Sequence, residues 1–441
     1  MKLLTSFFDR MVQRYLPDAF IFAIILTFVV FSLGLLFTDN GPVEMVEHWG
    51  AGFWDLLAFA MQMSLVVVTG YILASTPVVK NMLAKLSTLA KTPAQAIVLV
   101  TFVALIACLI NYGFGLVVGA LFAVHVAKRV PEVDFRLLVA SAYSGMLIWH
   151  GGLSASIPLL IATPGHFLED QIGLIPVTQT LFSPLNIFIV VVLLATLPFF
   201  NRYLLKGTDP LGRTDSHLWK TEDEEEVTAE DIQPATPAER LENSQVVSLL
   251  IGGLGLAYIV YHFSTNGFDL NINIVNFIFL FLGIILHRTP RRFLDTVGNG
   301  VRNAGGIIVQ FPFYAGIMGM MVGSGLSEQM SHWFVSFSTD HTLPFLTFLS
   351  AGLVNFFVPS GGGQWAVQGP IMIEAAIGIG ADTAKTAMAV AWGDAWTNMI
   401  QPFWALPVLA IAGLKVRDIM GFCVMILLFS FIPIALGFLF F

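Results

Sequence analysis

Charge is what this sequence has least of: Asp, Glu, Lys and Arg make up 11% of its 441 residues, against 56% hydrophobic. The mean hydropathy is +0.80, and no water-soluble domain of this length has an interior that could hide so much apolar side chain. The bilayer is its solvent. Cysteine is scarce as well. Cys108 and Cys423 lie far apart inside apolar runs, which excludes a disulfide framework and a thiolate metal site and leaves core packing as their role. No Gly-rich phosphate loop ending in Lys-Ser or Lys-Thr is present, so ATP does not drive the protein directly. No metal or cofactor is called for. The formal charge of −8 does not mark a cationic or nucleic-acid partner, because residues 206–242 hold 11 acids and 4 bases. That stretch, with Pro210, Pro234 and Pro237 around an acidic run at 222–226, reads as a solvated linker.

What the chain has instead is long runs without charge. Lys2, Arg10 and Arg14 alternate with Phe7, Phe8, Met11, Tyr15 and Leu16 at helical spacing, predicting an interfacial helix before the first span. Ala19–Phe37 is too long for a signal-peptide core and lacks a small-residue cleavage site, so it reads as an uncleaved span. A helical span needs about 20 apolar residues. Leu56–Val79, Gln171–Asn201, Asn243–Tyr261, Leu270–Leu286, Asn303–Ser327 and Ile419–Phe441 each accommodate one. Three further runs, Ala94–Val124, Leu137–Leu168 and Thr342–Ile373, are too long for one helix, short for two, and interrupted. Their breaks are Asn111-Tyr-Gly-Phe-Gly115, His150-Gly-Gly-Leu-Ser-Ala-Ser156 with Pro158, and Pro359-Ser-Gly-Gly-Gly363. A fourth run, Thr386–Leu414, carries Asp394 and then Asn398-Met-Ile-Gln-Pro402. Backbone that leaves the helix at membrane depth must line protein or a water-filled cavity.

Lys and Arg are absent from 39–55, 163–179, 263–269 and 327–341, and cluster in six other places. The positive-inside rule puts the four empty stretches outside. The pattern closes with nine full spans and two hairpins, re-entrant or short helix pairs, at 94–124 and 342–373. The N-terminus is then cytoplasmic and the C-terminus outside, with Lys385 the one exception. Gly50, Gly52 and Gln62 match Gly298, Gly300 and Gln310 at an offset of 248, Asn111 matches Asn355, and Tyr143 and Pro158 match Trp392 and Pro407. The expected fold is therefore an all-α polytopic membrane protein of two inverted repeats with re-entrant hairpins and broken helices. Its parts are a first repeat at 1–205, an acidic cytoplasmic linker at 206–244, a connecting helix at 245–264 and a second repeat at 265–441.

In such architectures substrate and coupling ion meet at the midplane breaks, where half-helix N-termini face anions. Pro359-Ser-Gly-Gly-Gly-Gln-Trp365 has the makings of an anion cradle: Pro ends one half-helix, the glycines open backbone amides, and Ser360 caps the half-helix that they begin. The bland alternative is a glycine hinge. Asn111 and Asn355 are placed to anchor the two tips. Asp394 is an acid deep in a span, costly unless it works, and Thr397, Asn398 and Gln401 lie one or two turns on, suiting a bound cation or a proton relay. No Lys or Arg falls in the breaks. A dicarboxylate would usually want one, whereas a monocarboxylate can be held by helix ends and hydroxyls with its tail on Phe356, Trp365, Trp396 or Trp404. His150 precedes two glycines; its first reading is a hydrogen-bonded structural group, its second a proton carrier. Gly152-Leu-Ser-Ala155 is a weak echo of an intramembrane serine protease and lacks the Gly after Ser.

Several longer motifs together resemble the bacterial short-chain fatty acid transporter family over nearly the whole chain. They are Trp49-Gly-Ala-Gly-Phe-Trp-Asp-Leu-Leu-Ala-Phe59, Asn111-Tyr-Gly-Phe-Gly-Leu-Val-Val-Gly119, Val309-Gln-Phe-Pro-Phe-Tyr-Ala-Gly316, Pro359-Ser-Gly-Gly-Gly363 and Gln401-Pro-Phe-Trp-Ala-Leu-Pro407. The resemblance implies uptake of acetoacetate, butyrate and similar acids across the bacterial inner membrane, and kinship with the wider ion-transporter superfamily. It carries over Asn111, Gly113, Ser360, Gly361, Gly362 and Asn398 as site positions. With the residues read directly, the substrate set becomes Asn111, Gly113, Ser154, Ser360, Gly361, Gly362, Gln364, Trp365, Asn398 and Gln401. Asp394 and Asn398 are the coupling-ion candidates, for a proton or sodium. The competing readings are an exchanger or exporter of another anion such as a C4-dicarboxylate, and a channel or sensor. Self-association into a homo-oligomer stays open.

Overall fold

A computed structural model describes residues 19–207, 236–401 and 403–441. The interfacial helix expected near the N-terminus, most of the acidic linker and Pro402 lie outside the described residues. Every described element is helical, and 8 helices are long and apolar enough to cross a membrane.

The first half opens with α1 (Ala19–Phe37), the span read from the sequence. Next come α2 (Pro42–Gly52) and α3 (Leu57–Ala74). The uncharged run continues to Val79, but the helix stops at Ala74 because Thr76 and Pro77 begin another, α4 (Pro77–Ser87), with the Thr76 hydroxyl accepting from Val79 N. The first hairpin is α5 (Pro93–Ile110) and α6 (Tyr112–Arg129), of 18 residues each. Asn111 ends one and starts the other: its backbone is extended, and its Oδ1 accepts from Phe114 N at 2.9 Å. The broken helix comes next as α7 (Phe135–Tyr143), a 3-10 turn (Ser144–Gly151) and α8 (Ser156–Ile161), and α9 (Pro184–Leu204) closes the half.

After α10 (Gln245–Asn266) the order recurs. The second half contains α11 (Ile272–His287), α12 (Pro290–Gly323), α13 (Leu326–Phe337), α14 (Leu343–Val354) and α15 (Gly361–Ile379). It ends with α16 (Thr383–Thr397), α17 (Ala405–Ala412) and α18 (Val416–Phe440). Helix starts pair at nearly one spacing: Pro42 with Pro290, Tyr112 with Gly361, Phe135 with Thr383, Ser156 with Ala405. The long α12 corresponds to α2 and α3 fused. It starts earlier than the uncharged run suggested, since Thr289 caps it and Pro290 suits its first turn. Its 34 residues span about 51 Å at 1.5 Å per residue, so its basic N-terminal part projects beyond the apolar layer.

Packing repeats as well as order. In the first half α6 lies against α3 and α5 against the 3-10 turn; in the second, α15 lies against α12 and α14 against α16. At two close points of these contacts a Cβ on Gly145 would stand 2.6 Å from Ala104 O, and one on Gly393 2.5 Å from Phe348 O. Only glycine permits either approach. The halves interlock by exchange, with α6 touching α17, α15 touching α8, and α16 lying on the 3-10 turn.

Candidate functional site

The exchanged contacts bring the broken segments of both halves together. Ser360, in extended backbone, caps α15 by accepting from Gly363 N at 3.4 Å. Gln364 N bonds to Ser360 O, so the amides of Gly361 and Gly362 open the helix without intrahelical partners. A Cβ on Gly361 would collide with His150 Nε2 and would stand 2.6 Å from Ser156 Oγ. Gly362 packs on the Phe59 ring. The cradle expected from the sequence thus faces an imidazole and a hydroxyl from the other half.

His150 is fully buried and its Nε2 lies 3.2 Å from Oδ2 of Asp394, equally buried. Asn398, one turn beyond, donates from Nδ2 to the same oxygen at 3.3 Å. Asn355 at the end of α14 donates from Nδ2 to Asn398 Oδ1 at 2.8 Å, with Asp394 O and Thr397 Oγ1 also in reach. Tyr143 OH donates to Asn398 O at 2.6 Å. Among the described residues no Lys or Arg is buried, and the other buried acid, Asp134, pairs with Arg136. Among the described residues His150 Nδ1 and Nε2, Ser156 Oγ and Asp394 Oδ1 have neither a hydrogen-bond partner nor solvent access, the 3.2 Å approach of Nε2 to Asp394 being an ion-pair distance without hydrogen-bond alignment. Unsatisfied polar atoms at such depth are costly, and two of these, His150 Nε2 and Ser156 Oγ, face the start of α15.

An aromatic chain leads from this cluster to a cavity. The His150 ring lies tilted against Trp149 at 3.7 Å, Trp149 meets Tyr112 at 4.7 Å, and Tyr112 meets Trp404 at 5.4 Å. Trp404 Nε1 donates to Pro359 O at 3.0 Å, tying the far end of the chain back to the cradle. Tyr112, Gly113, Trp404, Phe403, Tyr71 and Asn303 line a mainly apolar cavity of about 350 Å³, enough for a small organic acid.

The expected site residues therefore fall into three groups. Ser360, Gly361, Gly362, Asp394 and Asn398 converge on the cluster. Asn111, Gly113 and Ser154 sit at the first hairpin tip, where Asn111 Nδ2 donates to Val66 O, Ser154 Oγ accepts from Tyr112 N, and Gly113 lines the cavity. Gln364, Trp365 and Gln401 pack within the protein, Gln364 Oε1 and Trp365 Nε1 without a hydrogen-bond partner. Gln364 Nε2 donates to Ala351 O and Gln368 Oε1, Trp365 is fully buried against Gly369, and Gln401 Oε1 accepts from Phe403 N. Of the other proposed tail contacts, Trp396 donates to Leu427 O and packs on Phe348. Sequence reasoning left out Ser156 and gave His150 second place. The available signal was a polar pair six residues apart around two glycines in an apolar run.

With this geometry in view, comparison with known proteins is decisive on kinship. The sequence profile of the family described as "Short chain fatty acid transporter" matches residues 1–441. This chain belongs to that family. Two relatives carry the name "Putative short-chain fatty acid transporter". The one from Escherichia coli (strain K12) is 49% identical over 435 residues, covering 98% of both chains. The other, from Haemophilus influenzae, is 47% identical over 440 residues, covering 97% of this chain and 96% of its own. The fold is similar to that of the YdaH transporter of Alcanivorax borkumensis, whose crystal structure is described as having an unusual topology. The TM-score is 0.56 at 15% identity, over 96% of this chain and 97% of that one. As a member of the short-chain fatty acid transporter family, the chain is a multi-pass membrane transporter, and the family resemblance and the all-helical fold read from its motifs hold.

Proposed function

We propose that the protein takes up short-chain monocarboxylates such as butyrate and acetoacetate across the bacterial inner membrane, driven by a cation gradient. The carboxylate binds the Gly361 and Gly362 amides at the positive end of α15, with Ser156 Oγ and the His150 ring beside it. The short apolar tail lies along Tyr112 and Trp404. The observation that carries this reading is the buried His150–Asp394 pair at a helix N-terminus with no Lys or Arg in the site. One helix end and one shared charge suit one carboxylate; a dicarboxylate would bury a second without a partner.

The two halves are inverted repeats in this reading. α4 and α13 hold equivalent places, yet α4 carries Lys80 and Lys85 while α13 carries Glu328 and neither Lys nor Arg. The positive-inside rule puts them on opposite sides. The cavity, near the α3 end and the basic start of α12, then opens to the cytoplasm, the inward-facing arm of an alternating-access cycle.

The test is accumulation of labelled butyrate or acetoacetate in proteoliposomes with and without inward proton or sodium gradients, corrected for protein-free vesicles. Accumulation under one gradient is expected. Transport of some other anion, with neither acid accumulated, refutes the reading.

A further inference from the structure

Resting on that reading and taking it one step further, we propose that His150 carries the coupling proton: acid anion and proton bind together, the proton on the imidazole between Asp394 and the α15 amides. The coupling ion is then H⁺ rather than Na⁺.

Position is the first argument. Gly361 has no side chain where His150 Nε2 and Ser156 Oγ crowd it, so an anion on its amide stands beside the imidazole. Asp394 lies on the same ring nitrogen at 3.2 Å. A second carboxylate there adds a negative charge to a buried site that already holds one, and a cationic imidazole is the group placed to offset it. Binding of the anion therefore favours binding of the proton, and by reciprocity the proton favours the anion.

Among the described residues the surroundings supply no other cation. The elements on the 3-10 turn bring Cys108 from α5, Tyr112, His125, Lys128 and Arg129 from α6, and Arg136 and Tyr143 from α7. They also bring Arg202 and Tyr203 from α9, and Lys385 and Asp394 from α16; α15 adds Glu374. Of these only Cys108, Tyr112, Tyr143 and Asp394 are buried. Both tyrosines and the thiol are neutral in their ordinary state.

The chemistry around Asp394 argues against sodium. A hard cation takes a shell of oxygens, whereas Oδ2 of Asp394 is faced by nitrogens, His150 Nε2 at 3.2 Å and Asn398 Nδ2 at 3.3 Å. The 3.2 Å approach of His150 Nε2 to Asp394 suits a charge pair once the imidazole holds a proton. In the cycle one proton and one anion enter from outside, cross together without net charge, and leave to the cytoplasm.

The experiment is calorimetric titration of the purified full chain with butyrate, in two buffers of different ionisation enthalpy and in sodium or potassium salts, at a mildly alkaline pH. The expected result is one proton taken up per butyrate bound and the same affinity in both salts. His150→Gln is expected to bind more than tenfold more weakly with no proton taken up. Ser156→Ala, which keeps the imidazole, is expected to lose affinity and retain the proton. Butyrate binding without proton uptake, affinity that requires sodium, or a proton still taken up by His150→Gln each overturns the proposal and leaves the monocarboxylate reading standing. Absence of any butyrate or acetoacetate binding by the wild type removes both. If His150→Gln does not fold, the wild-type proton count and salt comparison still decide.

Discussion

Asp394→Asn keeps the shape of a side chain that Asn398 and His150 both touch, and removes only its charge. With no carboxylate to hold a cationic imidazole, gradient-driven accumulation of butyrate in proteoliposomes is expected to fall to the level of empty vesicles, while calorimetric affinity changes less than about tenfold, about 1.4 kcal/mol. Undiminished accumulation would make Asp394 a structural anchor. Gly361→Ala puts a methyl against His150 and Ser156. It is expected to weaken butyrate binding more than tenfold; unchanged affinity would place the carboxylate elsewhere. At this scale the sequence was readable where chemistry is local. Asp394 and Asn398 are one turn apart, and Ser360 caps the helix that its own glycines begin. The meeting of His150 with Asp394 was not readable, because it depends on α16 lying across the 3-10 turn of the other half. Gln364 was selected by neighbourhood, yet its amide bonds to Ala351 and Gln368, a choice fixed by which way α15 faces α14.

Helix boundaries follow caps more closely than charge. Uncharged runs located α1 within its observed limits, but they overran α3 at Thr76 and began α12 too late, because neither a cap nor an initiating proline alters the apolar count. Scattered identities such as Gly52 with Gly300 suggested a repeat, and the paired helix starts are in keeping with it. The contacts at Gly145 and Gly393 add the packing reason for retaining small residues at paired places. Gly393→Val forces a branched side chain onto the Phe348 carbonyl and is expected to cost roughly 1–3 kcal/mol, seen as a lower unfolding temperature. Gly298→Ala, on the exposed side of α12 with nothing within 4 Å, is expected to gain up to about 1 kcal/mol. Equal shifts for the two would deny the α14–α16 contact its role.

For the whole molecule, the proposed alternating access rests on the proposed inversion of the two halves. Lys85 on α4 and Ser336 on α13 are both exposed, and the native Cys108 and Cys423 are buried. Lys85→Cys and Ser336→Cys are expected to react with an impermeant maleimide from opposite sides of the membrane; labelling from one side would refute the inverted arrangement. In the proposed transport a short acid sits with its carboxylate at the start of α15, where the halves meet. Anomalous diffraction from crystals holding a bromine-substituted butyrate tests it most directly. A bromine peak beside Tyr112 and Trp404, with the carboxylate on the Gly361 and Gly362 amides, is the expected result. An ordered acid bound away from α15, with that helix N-terminus empty, would contradict it.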